Sequence, residues 1–184
     1  MALLSDISWG DFRDLSLLER GPYFMKDGRE QHVIIAQQFD RMRLDALGTL
    51  ATKIRKIAKS REGMDFLGNL LSHKRAMLYF SQPSTRTFLS FYSAGKILGM
   101  KLGEVRDTST SSEFKGESQE DSVRSFSSYF DLIIMRSKMG GLAERMAWVL
   151  SNSERPVPVI NAGSGKDQHP TQALLDIYTL QRSF

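Results

Sequence analysis

From residue 76 onward the chain alternates, and this alternation limits its fold more than any other feature. Short apolar runs, each too short for a buried helix, are separated by segments with helical spacing. Ala76–Phe80 reads as a strand and Thr87–Leu98 as a helix stopped by Gly99. Lys101–Val105 reads as a strand, followed by a Ser- and Thr-rich loop over Arg106–Gly116. Glu117–Tyr129 is a helix with acidic residues in its first turn, and Asp131–Met135 is a strand closed by Arg136. After Gly140-Gly141 come a helix over Leu142–Leu150, a strand over Val157–Ile160 and a Gly-rich loop over Asn161–His169. The last helix runs from Pro170 to about Arg182, with proline where a missing N–H costs nothing. Such alternation predicts an α/β fold, a three-layer doubly wound parallel sheet of four to five strands flanked by helices.

Upstream, a helix is expected from Asp40, where Leu44, Leu47, Leu50, Ala51, Ile54, Ile57 and Ala58 recur at helical spacing. Its basic end, Lys53 to Lys59, suits a helix carboxyl terminus and lacks the aromatic interleaving of a nucleic-acid surface. His32–Ala36 reads as a short strand, with His32 in a structural role, and His73 as a surface residue. Residues 1–31 read as an irregular N-terminal extension, holding one short helix near Phe12–Leu18 and no chemistry. The start, Met1 to Asp6, lacks the basic and apolar regions of a signal peptide, so a cytoplasmic protein is expected. No apolar run approaches a membrane span. The absence of cysteine excludes a disulfide framework, a thiolate zinc site and a cysteine nucleophile.

In open parallel sheets ligands bind beyond the carboxyl ends of the strands. Four polar loops are expected there. One carries Ser84, Thr85, Arg86 and Thr87, a hydroxyl-rich turn into a helix start, where free N–H groups and the helix dipole favour an anion. Taken alone, Ser84 reads equally well as a helix cap. The second loop carries Ser109, Thr110, Ser111, Ser112 and Lys115. The third begins at Arg136. The fourth holds Asn161, Gly163, Ser164, Gly165, Lys166, Gln168 and His169, with Gln172 one turn into the helix. Donors and cations dominate, with no paired carboxylate and no metal cluster, so the expected ligand is an anion such as phosphate. Glu117, Glu120 and Asp121 fall in a first helical turn, their ordinary structural place. Neither a Walker loop nor a dinucleotide fingerprint is present: Ile160 precedes Gly165-Lys166 at the critical spacing, and Gln168 stands where a third glycine is required.

Ser84-Thr85-Arg86-Thr87, Lys115-Gly116-Glu117, Met135-Arg136 and His169-Pro170-Thr171-Gln172 occur in this order. Together they resemble the carbamoyl-phosphate domain of the aspartate carbamoyltransferases over about residues 32–184. Thr171 in the last motif, where the ornithine enzymes usually carry cysteine, favours the aspartate branch. The resemblance implies that Ser84, Thr85, Arg86 and Thr87 hold the phosphate. Arg136 would contact phosphate and carbonyl oxygen, while Thr87, Arg136 and His169 polarise the carbonyl as an oxyanion hole does. Gln172 would fix the carbamoyl NH2. Ser111 and Lys115 would reach a neighbouring subunit's site, implying a homotrimer with shared sites. Neither metal nor organic cofactor is implied. The substrates would be carbamoyl phosphate and L-aspartate, and a regulatory or dihydroorotase partner stays undetermined.

Three positions depart from the family pattern. Gln82 and Tyr92 stand where glutamate is usual, and Phe88 where a second arginine is usual. The family's second, aspartate-binding domain is missing from these 184 residues. The expectation is therefore the first half of a longer enzyme, which binds carbamoyl phosphate weakly and turns over poorly alone. A non-catalytic assembly module and a transferase for a different amine are the alternatives.

Overall fold

A computed structural model describes residues 2–106, 118–165 and 167–183. Its main sheet has four strands: β3 (Arg75–Phe80), β4 (Lys101–Val105), β5 (Leu132–Ser137) and β6 (Val159–Ser164). They are all parallel, in the order β4-β3-β5-β6. The chain moves outward from β3 to β4, then returns past β3 to add β5 and β6. That reversal makes a switch point between the carboxyl ends of β3 and β5.

Strand side chains alternate between two cores. Met77, Tyr79, Ile133, Met135 and Val159 face one side, and Leu78, Phe80, Ile134 and Ala162 the other. Helices α6 (Gln119–Tyr129) and α7 (Leu142–Ser151) cover the first face, through Val123, Phe126, Met146 and Leu150. Helix α5 (Thr85–Ile97) covers the second with Phe88, Phe91 and Tyr92. Helices α3 (Arg41–Ile57), α4 (Arg61–Leu70) and α8 (Pro170–Ser183) complete the molecule. Helix α3 begins at Asp40, whose side chain accepts from Arg43 N–H. Its apolar stripe is only half-buried, for no α3 residue is fully buried.

The strands and helices expected from residue 76 onward are present, with shifted ends. Helix α5 starts at Thr85, and β5 extends through Arg136 to Ser137. Strand β6 needs correcting: Asn161 to Ser164 belong to it rather than to a loop. The expected strand over His32–Ala36 reduces to a single parallel bridge between Val33 and Ile160.

Residues 2–30 are more ordered than expected. Helices α1 (Trp9–Asp14) and α2 (Leu17–Arg20) start at Ser8 and Ser16, whose hydroxyls accept from Asp11 N–H and Glu19 N–H. A hairpin pairs β1 (Met25–Lys26) with β2 (Arg29–Glu30) through Asp27-Gly28, both at positive φ, as a type I′ turn requires. Leu4, Phe12 and Phe24 are 2 %, 0 % and 0 % exposed and belong to the same core as the sheet. The segment is anchored on α7. Trp148 Nε1 donates to Ile7 O at 2.9 Å, and Arg20 pairs with Glu144 at 2.9 Å in a mostly buried bridge. The Arg145 guanidinium sits 5.0 Å from the Trp9 ring and 5.1 Å from that of Trp148.

His32 is fully buried. Its Nδ1 accepts from Val159 N–H at 3.1 Å, so Nε2 carries the proton and bonds Ser151 Oγ at 2.9 Å. Burial pushes its pKa down to about 3.

Candidate anion-binding site

The switch point is held together by backbone. Ser81 N–H and Gln82 N–H both donate to Arg136 O, at 2.9 and 3.3 Å, joining the loop after β3 to the end of β5. Here β5 and β6 lose register: Met135 pairs with Asn161, but Ser137 pairs with Ser164. Two residues of β6, Ala162 and Gly163, therefore stand opposite the single Arg136, forming a bulge. The Arg136 Nη1 group donates to Ala162 O at 2.9 Å. Gly163 has φ +112°, and a Cβ there would overlap Arg136 Nη1 and press on His169 Cδ2 at 3.0 Å. Glycine is thus required both by its backbone angle and by the guanidinium filling its side-chain space.

On the β3 side, α5 begins without a side-chain cap. Ser84 does not cap it. Its hydroxyl donates instead to Thr87 Oγ1 at 3.0 Å, leaving the first amides of α5 without a side-chain cap among the described residues. Thr87 and Arg86 follow in the first turn.

On the β6 side, α8 starts at Pro170. Gln172 N–H donates to His169 Nδ1 at 3.3 Å. The neutral imidazole then carries its proton on Nε2, a donor edge. Burial, and then the Arg136 charge, lower the pKa of His169, so this neutral form is favoured. Burial also works against the charge on Arg136. Gln172 Nε2 donates to Asp176 Oδ1 at 2.8 Å.

These groups line one cleft of about 1020 Å³, to which Ser84, Arg86, Thr87, Arg136, His169 and Gln172 all contribute. Two arginines and an imidazole line it, and no carboxylate among the described residues does. The rest of the wall is largely apolar, from Leu44, Leu47 and Ile54 of α3, Phe91 of α5 and Leu174 of α8.

Of the residues expected in the site, Thr85 is exposed and is not among those lining the cleft. Asn161, Ser164 and Gln168 were expected among the donor loops but are spent on structure. Asn161 Nδ2 donates to Ile34 O, and its Oδ1 accepts from Gly163 N–H. Ser164 bridges to Gln168. Glu120 pairs with Arg145 at 3.5 Å, and Asp121 accepts from Ser118, both away from the cleft. Ser109, Thr110, Ser111, Ser112, Lys115, Glu117 and Lys166 lie outside the described residues. The described residues hold no cluster of three metal-ligating side chains.

Two of the three unusual positions, Phe88 and Tyr92, pack together. Phe88 is buried edge-on to Phe80, stacks on Tyr92 at 5.8 Å and carries the Arg106 guanidinium 4.3 Å above its ring. Gln82 keeps a buried Oε1 without a hydrogen-bond partner, as Arg136 does its Nε. Sequence reasoning assigned no role to Gly163 and did not bring α3 to the site. The bulge depends on register, and α3 reads as an ordinary amphipathic helix.

A parallel α/β sheet with an uncapped helix start, and with two arginines and a neutral imidazole lining the cleft at its switch point, is built as an α/β domain able to hold an anion. The family model for the aspartate/ornithine carbamoyltransferase carbamoyl-phosphate-binding domain matches residues 31–182, and the chain belongs to that family. It is 42 % identical over 168 residues to the chloroplastic aspartate carbamoyltransferase of Arabidopsis thaliana, covering 89 % of this chain and 40 % of that protein. It is 39 % identical over 154 residues to the aspartate carbamoyltransferase catalytic subunit of Methanosarcina mazei, covering 84 % and 47 %. A structure of aspartate transcarbamoylase from Trypanosoma cruzi in complex with aspartate and phosphate superposes with a TM-score of 0.72 at 34 % identity, covering 82 % of this chain and 46 % of that one. The chain thus spans less than half the length of these relatives.

Proposed function

We propose that this chain binds carbamoyl phosphate and forms the half of an aspartate carbamoyltransferase that presents the carbamoyl group to the amine of L-aspartate. The observation that carries the reading is the cleft itself, lined by Arg86, Arg136 and neutral His169 with no carboxylate in the described wall. Nothing in the packing of the sheet requires these groups together.

The phosphate sits on the free amides at the start of α5, with Ser84, Thr87 and the guanidinium of Arg86. The resemblance adds Thr85 to this set, through its backbone. Arg136 and His169 Nε2–H donate to the carbonyl oxygen, with Thr87, and stabilise the oxyanion as the amine attacks. Phosphate then leaves with the bonding electron pair and takes the proton that the amine gives up. Gln172 receives the carbamoyl NH2. The wall is already built, so positioning and electrostatics supply the rate. Related structures from Trypanosoma cruzi hold carbamoyl phosphate and aspartate, which supports both substrates.

The proposed assembly is a homotrimer in which Ser111 and Lys115 complete a neighbour's site, the proposed location cytoplasmic and the pathway pyrimidine biosynthesis. Residues 32–184 form the carbamoyl-phosphate domain, residues 1–31 precede it, and the aspartate-binding domain is the half these residues do not include. No described helix is long and apolar enough to cross a membrane.

The test is calorimetric titration of inorganic phosphate and carbamoyl phosphate into the protein and into Arg86→Ala, with light scattering for mass. Saturable binding, weakened at least about tenfold by Arg86→Ala, supports the reading, because a charge-assisted bond to phosphate is lost. Unchanged affinity in the variant would overturn it.

A further inference from the structure

The first turn of α8 presents two side chains of opposite hydrogen-bonding sense. His169 has its Nδ1 occupied by Gln172 N–H, so Nε2–H faces outward as a donor. Gln172 has its Nε2 occupied by Asp176 Oδ1 at 2.8 Å, one turn further on. A carboxylate only accepts, so turning the amide over would lose this bond and set oxygen against oxygen. The free end of Gln172 is therefore Oε1, an acceptor. A donor and an acceptor three residues apart on the wall of one cleft suit a group that carries C=O and NH2 together. Asp176 itself is exposed and is not part of the cleft wall; besides its bond to Gln172, its charge acts on His169, where it opposes without reversing the fall in the imidazole pKa, so the ring stays neutral with or without it.

We propose that Asp176 is the positioning residue that makes this site selective for a carbamoyl group: by holding Gln172 with Oε1 free, it admits an NH2 and disfavours a methyl group or carboxylate oxygen of the same size. The inference rests on the carbamoyl phosphate reading and deepens it. Of the other groups in the cleft, Arg86, Arg136 and the Nε2 of His169 only donate, and Thr87 Oγ1, already accepting from Ser84, has its proton left to give. They hold phosphate and carbonyl oxygens equally well in carbamoyl, acetyl or carboxyl phosphates. Discrimination among these falls to the one contact that differs, and a site built to bond an NH2 penalises the analogue lacking it.

The experiment compares inorganic phosphate, freshly prepared carbamoyl phosphate and acetyl phosphate by calorimetry on the wild-type chain, Asp176→Asn and Asp176→Glu. Asparagine offers a donor as readily as an acceptor, so it lets the Gln172 amide turn. Glutamate still only accepts. The wild-type chain should prefer carbamoyl over acetyl phosphate by about tenfold, most of which Asp176→Asn loses and Asp176→Glu keeps. Inorganic phosphate should bind all three chains alike. A preference unchanged in Asp176→Asn overturns the proposal, as does a parallel weakening for all three ligands, which would mark a merely structural role. If the wild-type chain binds neither phosphate nor carbamoyl phosphate, the functional reading itself fails instead.

Discussion

Gly163 shows how much of the site depends on an absent side chain. Its φ of +112° is strained for any other residue, and the space a Cβ would take is filled by Arg136 and His169. Gly163→Ala should cost about 1–3 kcal/mol of stability. It should also lower phosphate affinity at least about tenfold by displacing the Arg136 guanidinium. Calorimetry checks the affinity, and denaturant unfolding monitored by circular dichroism the stability. Full phosphate affinity in a folded Gly163→Ala chain would show that Arg136 does not need this clearance. What was legible in the sequence is that these residues come together: Ser84, Arg86, Thr87, Arg136, His169 and Gln172 all line one cleft. The role of Gly163 was not, because a bulge is a relation between two strands and leaves no local mark. Asn161 and Ser164 misled for the converse reason. They look like ligand donors until the strand that consumes them is seen. Phe88 and Tyr92 are single departures in sequence, yet in space they form one stacked unit with Phe80 and Arg106.

At the scale of elements, His32 ties the short bridge beside β6 to α7. Its folded pKa, about 3, lies below the ordinary value of 6.5, so the unfolded chain binds the extra proton between those limits. The stabilisation is complete above about pH 6.5 and is lost as pH falls toward 3. The loss over that window is on the order of 3 kcal/mol, after allowance for relaxation around the charged ring. Urea unfolding of the wild type and His32→Asn at pH 7 and pH 4.5 tests this. The gap between the two should narrow at the lower pH, and a constant gap would remove His32 as its source. The N-terminal hairpin was legible in principle, since Asp27-Gly28 is a strong turn signal. It was passed over because the flanking strands are only two residues each, too short to show alternation.

At the scale of the whole molecule, the fold expected from the strand–helix alternation is the one found, and the family match agrees with it. Non-local packing could not be read in advance. Leu4, Phe12 and Phe24 are scattered among polar residues, and only the tertiary structure shows them completing the core beneath α7. Removing residues 2–20 would uncover α7, leave Glu144 without Arg20 and delete two core side chains. The shortened chain should lose about 4 kcal/mol or more and expose apolar surface, even though the family match begins only at residue 31. Thermal unfolding and binding of a hydrophobic dye would show this, and an unchanged melting temperature would contradict it.

The bulge between β5 and β6 has a consequence for how this segment can change over generations. The site stores its geometry there as a count of residues as well as their identities. Removing one residue from Asn161–Ser164 would mend the ladder, but the Ala162 carbonyl and the Gly163 clearance that seat the Arg136 guanidinium could no longer both stand opposite it. Substitutions around the bulge can accumulate one at a time, whereas a single insertion or deletion alters the seat of Arg136 and shifts His169 and the start of α8 along the strand at once. Among active descendants of this sequence, the spacing from Asn161 to His169 should be kept more strictly than most of the residues within it.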